Sequence, residues 1–196
     1  PELNLADVIL YVGETDDDPQ KVKDAVGYHD MNHRGVPFGF VFTDVAEKVG
    51  EAWSTTLSHE VLELIADPDV NLLVVAPHPH KARASVLRPY EVCDPVQADT
   101  YTIDGVAVSN FVTPLYFAEL PHPVQTRTNY MSLPLDRYAV RPEGYFSYLD
   151  LSTGRWENVF GENAEKRVGP KEILGNARRM RRHQALNLPA GRHEHR

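Results

Sequence analysis

Cysteine is almost missing from this sequence of 196 residues, in which Cys93 stands alone. A single cysteine excludes an internal disulfide and a cysteine-rich zinc site. Long apolar runs are missing too: VILYV and LLVVA have the length of a strand, whereas a membrane span needs roughly 20 apolar residues. The opening residues, PELNLADVILYVGE, lack the basic region and cleavage site of a secretory signal. These absences predict a cytoplasmic protein with no membrane partner.

Acidic residues are scarce at the C-terminal end, although the whole chain has a net charge of -8. Residues 166–196 contain nine Lys or Arg and two Glu, so they carry +7, whereas residues 1–165 carry 11 basic and 26 acidic side chains, or −15. We therefore predict a folded domain over 1–165 and a basic arm over 166–196, with a helix from Pro170 to Leu186. The arginines of this helix spread around it beside a short apolar face. This pattern favours binding to a protein subunit over binding to nucleic acid.

Hydrophobic residues make up 42% of the chain, which is enough for a buried core, and the predicted elements mix helices with strands. The fold class is therefore predicted as α+β. Apolar alternation and turn residues predict two hairpins, the first turning at Asp104-Gly105 and the second at Ser152 to Gly154. The segment HDMNHRGVP is predicted to be a loop, and 118–136 a long surface loop. Further strands are predicted from Leu5 to Val12, in PFGFVFTDV and in NLLVVAP. The segment RPYEVCDPV is predicted to be a short strand that runs into a turn, and QKVKDAV a short helix.

One long helix is predicted from Asp44 to Asp67. Asp44 and Glu47 have the spacing of a capping box, and Pro68 disfavours helical backbone at the preceding residue. Gly50 weakens the prediction in the first turns. Apolar residues recur every three or four positions, which indicates a buried helix face: Val45, Val49, Trp53, Leu57, Val61, Leu64 and Ile65.

The run SHEVLELIADP in this helix contains the candidate catalytic chemistry. His59 and Glu63 are four residues apart, so both project from one face and can bind one metal ion. Glu60 lies between them, at the position where zinc peptidases have the general base that activates a metal-bound water. Because acidic residues are common on helix surfaces, a solvated acidic face remains the alternative interpretation.

A catalytic zinc site needs a third protein ligand, and the segment YEVCDPV offers Glu91, Asp94 or both. Zinc is the expected ion, although several carboxylate ligands also suit Mn²⁺ or Ca²⁺. Cys93 is predicted to be a buried, inert thiol. Tyr116 is a candidate oxyanion donor, with core packing as its favoured role.

The motifs SHEVLELIADP, EVCDPV, VSNFVTPLYF and RPEGYFSYLD together resemble a family of largely uncharacterised zincin-like proteins of bacteria and their phages. The resemblance covers about residues 38–150. It implies a zincin-like domain in which the active-site helix packs on a small mixed sheet, with His59, Glu63 and one or both of Glu91 and Asp94 as metal ligands. Glu60 is then the base. The sequence departs from the usual His-Glu-x-x-His because it has Glu63 at the second histidine position.

Two functions are compatible with this resemblance. The first is a metal-dependent hydrolase, a zinc metallopeptidase acting on peptides. The second is a non-catalytic, zincin-derived structural or interaction protein, such as a phage virion component, which would place the protein in the virion.

Overall fold

A computed structural model describes residues 7–18, 25–118 and 127–164. It confirms the α+β class. The helices are α1 Thr43–Val49 and α2 Trp53–Ala66. The strands are β1 Ile9–Gly13, β2 Gly27–Met31, β3 Pro37–Phe42, β4 Leu73–Pro77, β5 Ser85–Pro89, β6 Thr100–Ile103, β7 Val106–Ser109, β8 Tyr145–Asp150 and β9 Arg155–Phe160. The predicted basic arm and most of the short helix in QKVKDAV lie outside the described residues. Within the described ranges, no helix is both long and apolar enough to cross a membrane.

A three-stranded mixed sheet, in the order β1-β3-β2, supports α2. β1 runs parallel to β3, and β2 runs antiparallel to it. Side chains alternate between the two faces, so one face is aromatic, with Tyr28, Phe38, Phe40 and Phe42 buried in one cluster. The opposite face, which includes His29 and Gly39, faces α2.

The prediction of a loop over HDMNHRGVP is wrong in its first three residues, because His29 to Met31 belong to β2. Only the turn that joins β2 to β3 is irregular. Asn32 closes this turn, since its side-chain oxygen accepts the N–H groups of Arg34 and Val36 at 2.9 and 3.0 Å. Gly35 has a φ of 77°, a conformation that favours glycine.

The predicted single helix is two helices, because Gly50 adopts a φ of 71° and ends α1. The proposed capping box is also wrong. The residue before α1 is Phe42, and Asp44 instead accepts hydrogen bonds from the backbone N–H and the hydroxyl of Thr15, both at 2.9 Å. The end of α2 is as predicted, since it stops at Ala66, two residues before Pro68.

The buried face of α2 is more polar than the apolar spacing predicted. Trp53 is 49% exposed and Ile65 is 71% exposed. The buried residues are Thr55, Thr56, His59, Glu60, Glu63 and Leu64. Contact with β2, β3 and β7 decides which side of α2 is covered, and those strands meet the side that contains the histidine and the two glutamates.

A second, four-stranded sheet has the order β4-β5-β8-β9, and β6 and β7 form a separate two-stranded sheet. Both predicted hairpins are confirmed, as β6-β7 and β8-β9. Arg88 of β5 is buried, with its guanidinium carbon 3.5 Å from the centre of the Phe146 ring. It donates to the Tyr116 hydroxyl at 2.8 Å, and that hydroxyl donates in turn to Ala139. Tyr116 therefore has the structural role that was favoured for it.

Candidate metal centre

The candidate site lies on the buried face of α2, where it meets β2 and the chain that follows β5. The Asp-Pro sequence at the end of α2 fixes the next turn of the chain. Asp67 accepts hydrogen bonds from the backbone N–H groups of Asn71 and Leu72 at 3.2 and 2.9 Å. Helix α2 is also attached to β7, since Ser58 accepts the backbone N–H of Ser109 at 2.8 Å.

His59, Glu63 and Asp94 form a three-residue group with metal-ligand spacing. The His59 Nε2 atom lies 3.3 Å from Glu63 Oε2 and 3.3 Å from Asp94 Oδ1. Two ligands placed 2.0–2.1 Å from a tetrahedral zinc ion are ~3.3 Å apart, so these separations suit a shared ion. His59 Nε2 is buried and has no hydrogen-bond partner among the described residues. Such an atom is costly to bury unless something binds it.

Asp94 is the one of the two proposed downstream carboxylates that lies beside His59. It begins a short 3-10 helix, Asp94–Val96. Glu91, three residues earlier, is outside the His59 group, and its Oε2 lies 3.4 Å from the Nε2 of His29. The segment around both residues is held to α2 because the backbone N–H of Cys93 donates to Glu63 Oε1 at 3.1 Å.

Burial and neighbouring charges shift the pKa values of this group. Burial opposes protonation of His59, but the Glu63 charge and the adjacent Asp94 carboxylate outweigh it, so the His59 pKa lies well above its usual value. Burial raises the pKa of Glu63; the His59 charge opposes this rise, and the charges of Asp94 and Glu91 add to it. Without a cation, the site therefore favours binding protons.

His29 is a member of the site that the sequence analysis missed. Its Nδ1 atom lies 2.8 Å from Glu60 Oε2, which is a hydrogen-bond distance, and 3.4 Å from Glu63 Oε2. A signal for it exists in the sequence. The short apolar and aromatic segments GYHDM and PFGFVF flank Asn32 and Gly35, and this arrangement is typical of a hairpin with one face buried.

Tyr145 is a second member of the site that the sequence analysis missed. It is the first residue of β8, it is buried, and its hydroxyl is hydrogen-bonded to Asp94. Burial raises the Tyr145 pKa well above its usual value, and the charge of Asp94 adds to the rise. Tyr145 is therefore a neutral donor that orients a candidate ligand.

Cys93 lies close to the site but is unsuited to nucleophilic chemistry. Its thiol is fully buried, and burial, together with the nearby Glu63 charge, raises its pKa well above the usual value. The thiolate is the reactive form of cysteine, so this environment suppresses reactivity. The prediction of a buried thiol is confirmed.

Comparison of the chain with protein-family models, with curated proteins and with solved structures gives no match. The resemblance to zincin-like proteins therefore stays a prediction.

Proposed function

We propose that the protein is a zincin-like, metal-dependent hydrolase, and that His59, Glu63 and Asp94 bind a catalytic divalent cation. The observation that carries this proposal is the buried His59 Nε2 atom, which makes no hydrogen bond among the described residues and lies 3.3 Å from a carboxylate oxygen on each of two other residues. Imidazole nitrogen and carboxylate oxygen are both ligands of zinc, and three protein ligands are typical of catalytic sites. Zinc is the first candidate, and a harder ion such as Mn²⁺ is the next, because two ligands are carboxylates.

Glu60 is the proposed proton acceptor. When bound, the cation would supply Lewis-acid activation of a water molecule and of the substrate carbonyl group. Glu60 is adjacent to His59 on α2 and is 4% exposed, and its carboxylate is held 2.8 Å from His29 Nδ1. A buried carboxylate fixed by an imidazole can take the proton of the attacking water and return it to the leaving group. His29 is then a positioning residue, and a peptide bond is the proposed substrate.

A structural metal site is the second candidate, and burial favours it. The side chains of His59, Glu63 and Asp94 are 11%, 3% and 7% exposed. Structural zinc sites are closed, whereas catalytic sites keep a position open to water and substrate. A structural role would fit a non-catalytic interaction protein of the kind found in virions.

The two candidates differ in the expected effect of Glu60→Gln. A catalytic site predicts that this variant keeps the tightly bound metal and the thermal midpoint of the wild type. Its hydrolysis of a peptide library, followed by mass spectrometry, should fall about 10²–10⁴-fold, the usual contribution of a general base. Glu47→Gln, on the exposed side of α1, is the matched control and should match the wild type.

His59→Ala tests the metal site itself. Elemental analysis after dialysis should find less metal in His59→Ala than in the wild type and in His33→Ala, a control at an exposed histidine. Absence of metal from the wild type, even after incubation with Zn²⁺ or Mn²⁺, would refute both candidates. Metal in the wild type with no hydrolysis of any peptide would favour the structural role.

A further inference from the structure

A second group of potential metal ligands lies beside the first. His29, Glu60 and Glu63 each offer a ligand atom, and these atoms lie within 4.8 Å of one another. The three side chains are 2%, 5% and 3% exposed, so they are more deeply buried than most charged or polar groups in proteins. They come from two elements, β2 and α2, which meet face to face.

The two groups share a single oxygen atom. Glu63 Oε2 is 3.3 Å from His59 Nε2 and 3.4 Å from His29 Nδ1, so it lies between the two imidazoles. The other oxygen, Oε1, accepts the Cys93 N–H and is thereby fixed. A carboxylate oxygen held between two nitrogen ligands is placed to bridge two cations.

The charge of the site favours a second cation as well. Metal binding requires neutral imidazoles and ionised carboxylates. Under those conditions, one divalent cation neutralises two of the four carboxylates, and a second would neutralise the remaining two. The four carboxylates are Glu60, Glu63, Glu91 and Asp94.

We propose that His29, Glu60 and Glu63 form a second divalent-cation position, bridged to the first through Glu63. This inference rests on the proposed function, because the first cation position is the one proposed there. Glu60 cannot bind a cation and accept a proton at the same time, so occupancy of the second position would inhibit hydrolysis. Metal availability would then regulate the site.

Metal titration of the full chain, after removal of metal with a chelator, tests the inference. Wild-type protein should bind Zn²⁺ in two steps, with one equivalent in each. His29→Gln should keep the first step and weaken the second about 100-fold or more. His33→Gln, at an exposed position in the turn after β2, is the matched control and should keep both steps. If His29→Gln fails to fold by circular dichroism, Glu60→Gln takes its place, since it preserves the shape of the side chain.

A second readout is the electron paramagnetic resonance spectrum of protein loaded with Mn²⁺, because two ions that share one oxygen are spin-coupled. The wild type should give the coupled spectrum, and His29→Gln the spectrum of an isolated ion. A single equivalent in both proteins would refute the second position and leave the proposed function intact. Two equivalents of bound metal in both the wild type and His29→Gln would mean that the second ion binds elsewhere, and would refute the inference. Loss of both equivalents in His29→Gln would show that the two groups of ligands bind one shared ion, which would refute the second position. No binding of metal by the wild type would refute the inference and the proposed function together.

Discussion

At the scale of single residues, Glu63 contacts three separate parts of the described chain. It is 2% exposed, and it contacts an imidazole from β2, an imidazole from its own helix and a backbone N–H from the segment after β5. A buried carboxylate with so many oriented partners is expensive to replace, because each partner would lose its own interaction. Glutamate therefore suits position 63 better than a second histidine, because its carboxylate contacts three parts of the chain.

A second buried carboxylate, Asp150, gives a prediction about pH. It accepts a hydrogen bond from Lys81 at 2.6 Å and from the hydroxyl and backbone N–H of Ser152 at 2.6 and 2.8 Å. These bonds, led by that from Lys81, lower the Asp150 pKa below the usual 3.8. The stabilisation is therefore present above about pH 4 and is lost as the pH falls through the lowered pKa.

Asp150→Asn should accordingly lower the free energy of unfolding near pH 7, and the difference from the wild type should shrink as the pH falls below about 4. Urea unfolding from about pH 7 to about pH 3 measures this difference. Asp136→Asn, at an exposed position, is the control. A difference that stays constant down to the lowest pH would mean that the ionised form of Asp150 does not stabilise the fold.

The residues of the site differ in how far the sequence could predict them. His59, Glu60 and Glu63 share one helix, so their spacing alone placed them together. The sequence left Glu91 and Asp94 as alternatives, because a single turn of 3-10 helix decides which carboxylate reaches His59. His29 and Tyr145 belong to strands that are distant along the chain, and only the tertiary fold brings such residues to a helix face.

At the scale of elements, Gly27 allows the sheet to approach α2. A Cβ atom on Gly27 would lie 2.5 Å from Thr56 Cγ2 and 3.1 Å from Glu60 Oε1. The close approach of β2 to α2 therefore requires glycine at 27, and it brings His29 within hydrogen-bond distance of Glu60.

Gly27→Ala should force β2 and α2 apart. Overpacking of this kind typically costs about 1–3 kcal/mol, and we expect a loss of that size in the free energy of unfolding. Thr56→Ser removes the methyl group that would clash and keeps the hydroxyl that donates to Glu51. The double variant should therefore recover about half or more of the loss, as a double-mutant cycle measures. Additive effects of the two substitutions would show that the clash is not the cause.

Local patterns predicted the hairpins well and the first helix poorly. The turn at Asp104 and Gly105, with φ values of 49° and 84°, needs residues that tolerate a left-handed backbone, and that requirement is visible in the sequence. The break at Gly50 was visible too, but apolar spacing continued across it and suggested one helix. Apolar spacing identified Leu64 but missed most of the buried face of α2, because the partner strands cover the polar residues.

At the scale of the whole molecule, the site joins segments that are far apart in sequence. β2 contributes His29, α2 contributes three side chains, and the segment after β5 contributes Asp94, which is hydrogen-bonded to Tyr145 of β8. The site therefore lies where the three-stranded sheet, the helix and the four-stranded sheet meet. A cation bound there would connect both sheets through α2, which is why metal binding and global stability should be coupled.

Zinc loading should consequently stabilise the entire fold. A ligand present at 100 times its dissociation constant adds about 2.7 kcal/mol to the free energy of unfolding, which corresponds to a rise of about 5–10 °C in Tm for a domain of this size. Hydrogen exchange should slow in β2 and in the 3-10 helix Asp94–Val96 together, because each holds residues of the site. His59→Ala should show smaller changes when zinc is added, because it lacks a ligand of the first cation position. Slower exchange confined to α2 would contradict the prediction, since it would mean that the cation binds the helix alone and does not connect the two sheets.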